Sequence, residues 1–338
     1  MDTSPAPRFD LSDPSIVPLF KQHLDTHGFA VVANAVPTDS IDTLKSSMWD
    51  HLEGDNLRRD DPSTWNHPAW FASESTGIVA NAGQSSFMWQ LRLLPMVSRA
   101  FSLVWNTPAH DLLTSFDVCN AFRPYAYDPN WLTDGGWWHV DQNANMGPAK
   151  TGRVCVQGLV TLTPCDKNTG GLCVIPGSHK FHAQICRDSK MGKALGDFVP
   201  IEKGHPLLEA EGRLITCQSG DLCLWDSRLI HCNTPADLDL VAASQQQPPP
   251  RPTELLRMVG YVCMTPRRMA SKDTLQQRQW AFESGLSTSH WPHCNVCVPM
   301  IDFDGTIGDV VNDPSNINAL QRRLIGYDER FTERCIVM

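Results

Sequence analysis

Short apolar runs separated by Gly, Pro, Asn and Asp fill the central part of the chain, and this pattern constrains the fold more than any other feature. The runs cover residues 112–123, 153–163, 171–176, 213–217, 221–226 and 255–264. Each is short enough for a β-strand, and turn-forming residues stand between them. Many short strands of this kind are typical of a sandwich or barrel of the jelly-roll type. We therefore predict a mainly β core.

Helical segments are predicted on both sides of this core. Residues 12–60 have a helical pattern around one short strand at Gly28–Val32, and Ser40 is the expected N-cap of a helix. A further helix is predicted over Leu91–Val104. We predict a single domain over residues 1–338, which comprises a helical N-terminal part (12–110), a jelly-roll core (111–265) and a helix and loop part (266–338).

Composition narrows the classes of partner. The chain carries a net charge of -9, so it lacks the excess of Lys and Arg that marks nucleic-acid-binding proteins, and a small-molecule substrate is favoured. The sequence has neither a secretory signal nor an apolar run long enough to span a bilayer, which predicts a cytoplasmic location. In that reducing compartment the cysteines of the strands are expected to be free and buried, namely Cys155, Cys173, Cys223 and Cys263.

The segment Gly136–Asn143 contains the pattern His-x-Asp, at His139 and Asp141. Residues two apart on a strand point to the same face, so this imidazole and this carboxylate can meet at one point. His231 lies much later in the chain than His139, shortly after Trp225 and Asp226, and it offers a third ligand. Two His and one carboxylate on one side of a metal leave its other positions open, the arrangement of non-heme Fe(II) oxygenases. We predict that His139, Asp141 and His231 bind Fe(II) and form the catalytic centre.

Arg257 lies inside an otherwise apolar predicted strand, Leu255–Tyr261. A buried charge needs a partner, and a planar guanidinium can hold a carboxylate through two hydrogen bonds. We predict that Arg257 binds the distal carboxylate of a 2-oxo acid co-substrate. Arg251 is the alternative, but it stands next to the low-complexity run Gln245–Pro250 and is expected to be exposed.

Further motifs give the chain a resemblance to the phytanoyl-CoA dioxygenase-like family of Fe(II)/2-oxoglutarate-dependent oxygenases. They are Asn168–Leu172 with its Gly-Gly pair, Pro176–His179, Gly220–Leu222 and Trp225–Arg228. The resemblance implies a double-stranded β-helix, of cupin-like jelly-roll form, with iron at one mouth. It also implies 2-oxoglutarate and dioxygen as co-substrates, with release of succinate and CO2 and with hydroxylation or desaturation of a small molecule.

The resemblance suggests additional residues around the co-substrate. Strand alternation places Gln157 and Leu159 on one face of their strand, and Asn120 and Asn233 resemble positions that contact 2-oxoglutarate in relatives. We predict all four as co-substrate-binding residues. His179, in the Pro176–His179 loop, is expected to be an ordinary loop residue.

Two other functions remain open at this point. A non-catalytic jelly-roll module that binds a metabolite would have the same fold, and a zinc hydrolase would use the same three ligands but leave Arg257 unexplained.

Two C-terminal motifs stay outside the main hypothesis. The residues of His290–Cys297 are of zinc-binding types but lack a paired half, and Cys335–Met338 fits the prenylation pattern without a neighbouring polybasic segment.

Overall fold

The computed structural model describes residues 1–66, 70, 72–189, 196–237, 251–294 and 312–327. The chain folds into two compact units. The first comprises residues 1–79 and 120–259, and the second comprises residues 80–119 and 260–338. That residues 1–338 form one catalytic domain remains a prediction. The Gln245–Pro250 run, Cys297 and the Cys335 prenylation motif lie outside the described residues.

A seven-stranded mixed sheet has the order β1-β2-β11-β7-β13-β5-β3. Its strands are β1 (Arg8–Phe9), β2 (Phe29–Val32), β3 (Ile78–Val79), β5 (Cys119–Phe122), β7 (Val156–Thr161), β11 (Leu222–Asp226) and β13 (Arg257–Tyr261). β1 and β2 are parallel, whereas β11 runs antiparallel to both β2 and β7. Every residue of β2, β7 and β11 is buried, so the middle of this sheet has no solvent-exposed face.

A five-stranded sheet in the first unit has the order β10-β8-β12-β6-β9. Its strands are β6 (His139–Val140), β8 (Gly171–Val174), β9 (Val199–Pro200), β10 (Arg213–Leu214) and β12 (His231–Thr234). Side chains from the two sheets meet: Gln157 of β7 bonds to Asp141, next to β6, and Arg257 of β13 reaches Asn233 of β12. Two sheets whose inner faces approach in this way form the predicted jelly roll.

Among the described residues, the α-helices of the first unit are α1 (Val17–His27), α2 (Ile41–Leu52) and α5 (His182–Asp188). The second unit contains α3 (Ser86–Arg92), α4 (Pro95–Trp105), α6 (Lys272–Glu283) and α7 (Ala319–Ile325), with a two-stranded sheet of β4 (Leu112–Thr114) and β14 (Met264–Pro266). Trp89, Phe116 and Phe282 form part of its apolar core. Within the described residues, no helix is both long enough and apolar enough to cross a membrane.

Most predicted elements are present, but the apolar runs 112–123 and 255–264 each contribute to two strands rather than one, and two details of the helices differ. The single helix predicted over Leu91–Val104 is wrong: α3 ends at Arg92 and α4 begins at Pro95, because proline disfavours a helical conformation in the residue before it and suits the first turn of a new helix. Ser40 precedes α2 as predicted, but its side chain makes no capping hydrogen bond. The four strand-region cysteines are free and buried, as predicted.

Candidate metal centre

Strand pairing brings the two predicted histidine ligands together. β6 and β12 are antiparallel neighbours, and His139 lies directly opposite His231 in their register. Opposite residues of an antiparallel pair project their side chains from the same face, and the two imidazole ring centres are 4.2 Å apart. Asp141 follows β6 directly. Its carboxylate oxygens lie 3.4 Å from Nε2 of His139 and 3.2 Å from Nε2 of His231.

These three residues, called the metal triad below, offer ligand atoms that all lie within 4.8 Å of one another. Among the described residues, no other group of three or more His, Cys, Asp or Glu side chains has such a geometry. Two imidazoles and one carboxylate are the donor set of non-heme Fe(II) sites, so the residues present fit such an ion. His293, in the discounted zinc-like motif, instead contacts Thr265 Oγ1 through Nδ1 at 3.2 Å.

Backbone carbonyls fix the orientation of both imidazoles. His139 Nδ1 lies 3.0 Å from the carbonyl oxygen of Trp137, and His231 Nδ1 lies 2.9 Å from that of Leu229. A carbonyl can only accept, so each Nδ1 carries the proton and each Nε2 presents its lone pair to the centre. The Trp137 indole also stacks on the His139 ring, with ring centres 4.8 Å apart and planes inclined by 7°.

The ionisation of the metal triad suits a cation. Burial by itself would raise the pKa of the Asp141 carboxyl, but the neighbouring His139 and His231 hold this pKa well below its usual value. Burial also lowers the pKa of His231, and the adjacent His139 lowers it further. An ionised carboxylate and a neutral imidazole are the forms in which these side chains bind a metal. Gln157 Nε2 donates a hydrogen bond of 2.8 Å to Asp141 Oδ2 and fixes the carboxylate plane.

Arg257 is almost completely buried, with 1% of its surface exposed. Its Nη1 donates to Asn120 Oδ1 at 2.7 Å and approaches Asn233 Oδ1 at 3.5 Å, while its guanidinium lies over the Phe122 ring. Its Nε has no hydrogen-bond partner within the described part of the chain. A buried cation with an unmatched N–H group fits a small carboxylate ligand such as 2-oxoglutarate. Arg251 is exposed and pairs with Asp61, as expected for a surface residue.

The remaining predicted co-substrate residues are buried in the first unit, and their contacts indicate more specific roles. Both ends of the Asn120 amide bond to the protein, because Oδ1 accepts from Arg257 and Nδ2 donates to the Thr76 carbonyl at 2.7 Å. It therefore holds Arg257 in place. Gln157 bonds to Asp141, and Leu159 is buried on the same strand. Co-substrate contact by Asn120, Gln157, Leu159 and Asn233 stays a prediction.

Sequence reasoning missed or misjudged several residues of this region. The Phe198 ring lies 4.7 Å from the His139 ring, yet 54% of its surface is exposed. The sequence gives no signal for this contact, because a phenylalanine in a polar loop is not distinctive. His179 was expected to be an ordinary loop residue, but it is buried and its Nε2 lies 3.1 Å from the Asp25 carbonyl oxygen. The expectation was wrong because the loop packs against the end of α1.

Comparisons with known proteins identify the family and the fold of this chain. The model of the phytanoyl-CoA dioxygenase family matches residues 24–235. A protein of Aspergillus versicolor named "Ava biosynthesis cluster protein O" is 27% identical over 288 residues, covering 81% of this chain and 86% of that protein. The crystal structure of a hypothetical protein from Escherichia coli has a TM-score of 0.58 at 16% identity, covering 95% of this chain and 85% of that one. The structural likeness supports the jelly-roll fold.

Proposed function

The chain belongs to the phytanoyl-CoA dioxygenase family, and on that premise we propose that it hydroxylates or desaturates a small organic molecule at a centre formed by His139, Asp141, His231 and Arg257. Members of the family are Fe(II)- and 2-oxoglutarate-dependent oxygenases, so the chain is an oxidoreductase that uses iron, 2-oxoglutarate and dioxygen. The observation that carries the proposal is the metal triad, whose ligand atoms lie within 4.8 Å of one another.

The metal triad would hold Fe(II) through Nε2 of the two histidines and the carboxylate of Asp141. Because the protein offers three ligands, a bound iron would have further positions for the co-substrates. Iron bound with 2-oxoglutarate and dioxygen supplies the oxidising power, and succinate and CO2 leave as co-products. The chain's own contribution is to fix the ligands before binding, which the carbonyls of Trp137 and Leu229 do.

Arg257 would neutralise the distal carboxylate of 2-oxoglutarate. Its guanidinium is held by Asn120, so little conformational freedom is lost when the co-substrate binds. Burial of this cation strengthens its attraction for a carboxylate and excludes competing water. Asp141 supports the reaction type: relatives that halogenate lack this carboxylate, so its presence favours hydroxylation or desaturation.

An apolar or aromatic substrate is proposed from the surroundings of His139. The exposed part of Phe198 offers an apolar face beside the metal triad, and the Trp137 ring stacks on His139. The net charge of -9 disfavours polyanionic substrates such as nucleic acids. The Aspergillus versicolor relative is named for a biosynthesis cluster, which favours a biosynthetic small molecule as substrate.

The proposal is tested by two measurements on purified protein. Addition of 2-oxoglutarate to the anaerobic Fe(II) protein is expected to produce a visible charge-transfer band, and a metabolite panel with dioxygen is expected to identify a compound that stimulates succinate release. His139→Ala and Asp141→Ala should lose both signals. The matched control is His110→Ala, since the side chain of His110 is 63% exposed and lies near Asp111, outside the metal triad.

The possible failures are distinct. A wild-type protein that binds Fe(II) and 2-oxoglutarate but releases no succinate with any compound would support the non-catalytic binding module instead. A protein that binds neither would contradict the metal centre itself. Tight zinc binding with hydrolysis of an ester or amide would favour the hydrolase.

A further inference from the structure

The four-residue turn between β11 and β12, residues 227–230, contacts two members of the metal triad. The carbonyl of Ser227 accepts the backbone N–H of Asp141 at 2.9 Å. The carbonyl of Leu229 accepts from Nδ1 of His231 at 2.9 Å. Because His231 also follows the turn directly in sequence, a displacement of the turn would move both an imidazole and a carboxylate.

A buried carboxylate supports one side of this turn. Asp226, the last residue of β11, has no exposed side-chain surface and accepts four hydrogen bonds. Three come from Arg228, through its backbone N–H at 3.0 Å, Nε at 2.8 Å and Nη2 at 2.7 Å. The fourth comes from Nε of Arg153 at 2.8 Å. Burial would raise the pKa of the Asp226 carboxyl, but Arg228 and Arg153 hold it below its usual value.

The other side of the turn is supported by the Pro176–His179 motif. Ser178 Oγ accepts the backbone N–H of Ile230 at 2.9 Å, directly before His231. The backbone N–H of Ile175 donates to the Ile230 carbonyl at 2.9 Å. Pro176–His179 and Trp225–Arg228, two motifs that supply no metal ligand, therefore meet at the turn that precedes His231.

We propose that Asp226 is a positioning residue for the metal centre: together with Arg228 and Arg153 it fixes residues 227–230 and thereby sets the placement of His231 and Asp141. The inference rests on the proposed function. Asp226 acts through the backbone of its turn and touches neither metal nor substrate. Preorganisation of this kind matters because a ligand set held in place before binding gives tighter metal binding than a loose one.

The chain contains a matched control for a purely structural role. Asp221, directly before β11, is also fully buried and pairs with Arg8 through Nε and Nη2, both at 2.8 Å. Its carboxylate also accepts from the backbone N–H groups of Asn34 and Gln218, and within the described part of the chain these contacts do not involve the metal triad. Loss of the Asp221 charge should also lower stability, because it leaves Arg8 without its carboxylate, as loss of the Asp226 charge does for Arg228.

The experiment compares Co(II) binding, as a surrogate for Fe(II), in Asp226→Asn, Asp221→Asn and wild-type protein. The readouts are the dissociation constant and the visible ligand-field spectrum, measured well below each thermal midpoint. Asp226→Asn is expected to bind Co(II) roughly 10- to 100-fold more weakly, with an altered spectrum, as is usual when the support of metal ligands is removed. Asp221→Asn should keep the wild-type spectrum and affinity within about threefold, whatever its stability.

Equal Co(II) affinity in Asp226→Asn and Asp221→Asn would overturn the inference. If Asp226→Asn does not fold, Arg228→Lys decides: it keeps the charge but loses the planar fork, and its affinity should fall by roughly threefold or more. An unchanged affinity and spectrum in Arg228→Lys would overturn the inference equally. If the wild-type protein binds no Co(II), both the proposed metal centre and this inference are contradicted. Equal Co(II) binding by Asp226→Asn and Asp221→Asn contradicts the inference alone, so the two outcomes can be distinguished.

Discussion

Two buried arginines of this chain differ in how their N–H groups are satisfied. Arg278 donates to the backbone carbonyls of Ile325, Pro292, Thr114 and Leu324 at 2.6 to 3.0 Å. Arg257 donates to Asn120, and its buried Nε lacks a partner within the described residues. A saturated buried arginine stabilises the loops that it joins, whereas an unsaturated one carries a desolvation cost that a ligand can repay.

Arg257→Met is therefore expected to separate stability from ligand binding. The variant should bind 2-oxoglutarate roughly 10- to 100-fold more weakly, since a charge-assisted hydrogen bond to a carboxylate contributes about 1.5 to 3 kcal/mol. Its ligand-free thermal midpoint should be no lower than that of wild type, because an apolar side chain of similar length replaces a costly buried charge. Anaerobic titration of the Fe(II) charge-transfer band and thermal denaturation measure the two effects.

Arg278→Met is the control for this prediction. It removes the donor to four carbonyls and should lower the free energy of unfolding by about 3 kcal/mol or more, because several buried carbonyl groups lose their partner. Its affinity for 2-oxoglutarate should stay at the wild-type level while the protein is folded. A wild-type affinity in Arg257→Met would contradict the assignment of Arg257 as the carboxylate anchor.

At the scale of elements, the first glycine of the Gly-Gly pair, directly before β8, has a structural reason. Gly170 has a φ of +71°, a conformation that is unfavourable for other residues. A Cβ atom at this position would also overlap the backbone of Thr234 and Pro235, at the end of β12. The turn therefore packs against the strand that begins with His231, and only glycine allows this close approach.

Gly170→Ala is expected to lower the free energy of unfolding by about 2 kcal/mol or more, through the strained φ and the overlap with β12. Chemical denaturation measures the change. Gly54→Ala is the matched control, because a Cβ there has no heavy atom within 4 Å and should change stability by less than about 0.5 kcal/mol. Equal stability of the two variants would show that the close approach at Gly170 does not exist in solution.

At the scale of the whole molecule, ligand binding and folding are linked. The residues assigned to metal and co-substrate all come from the first unit but from distant parts of its sequence, so unfolding that unit destroys the site. A ligand that binds only the folded state stabilises it in proportion to the logarithm of its concentration.

Saturating Mn(II), as an inert surrogate for iron, with 2-oxoglutarate should therefore raise the thermal midpoint by several degrees. At a ligand concentration one hundred times the dissociation constant, the gain in free energy is about 2.7 kcal/mol. The His139→Ala variant should show no such rise, and His110→Ala should behave as wild type. Identical midpoints of wild type with and without both ligands would argue against a site formed by the folded first unit.

Most of the β-strands were predictable because short apolar runs and turn residues are local signals. The His-x-Asp spacing also indicated that two candidate ligands lie close together, although β6 ends at Val140 and Asp141 follows it rather than lying on the same strand. The helix over Leu91–Val104 was mispredicted, because its apolar pattern continues past Pro95 while the backbone does not.

The sequence by itself determined the fold class and the identity of the four main candidates, His139, Asp141, His231 and Arg257. Only the tertiary structure decided which residues hold them. The register of β6 with β12 sets His139 opposite His231. The contacts of Gln157 with Asp141, of Asn120 with Arg257 and of Asp226 with Arg153 join residues far apart in the chain. Periodicity reports which face a side chain occupies, but the partner on the facing strand depends on long-range packing, which no local pattern encodes.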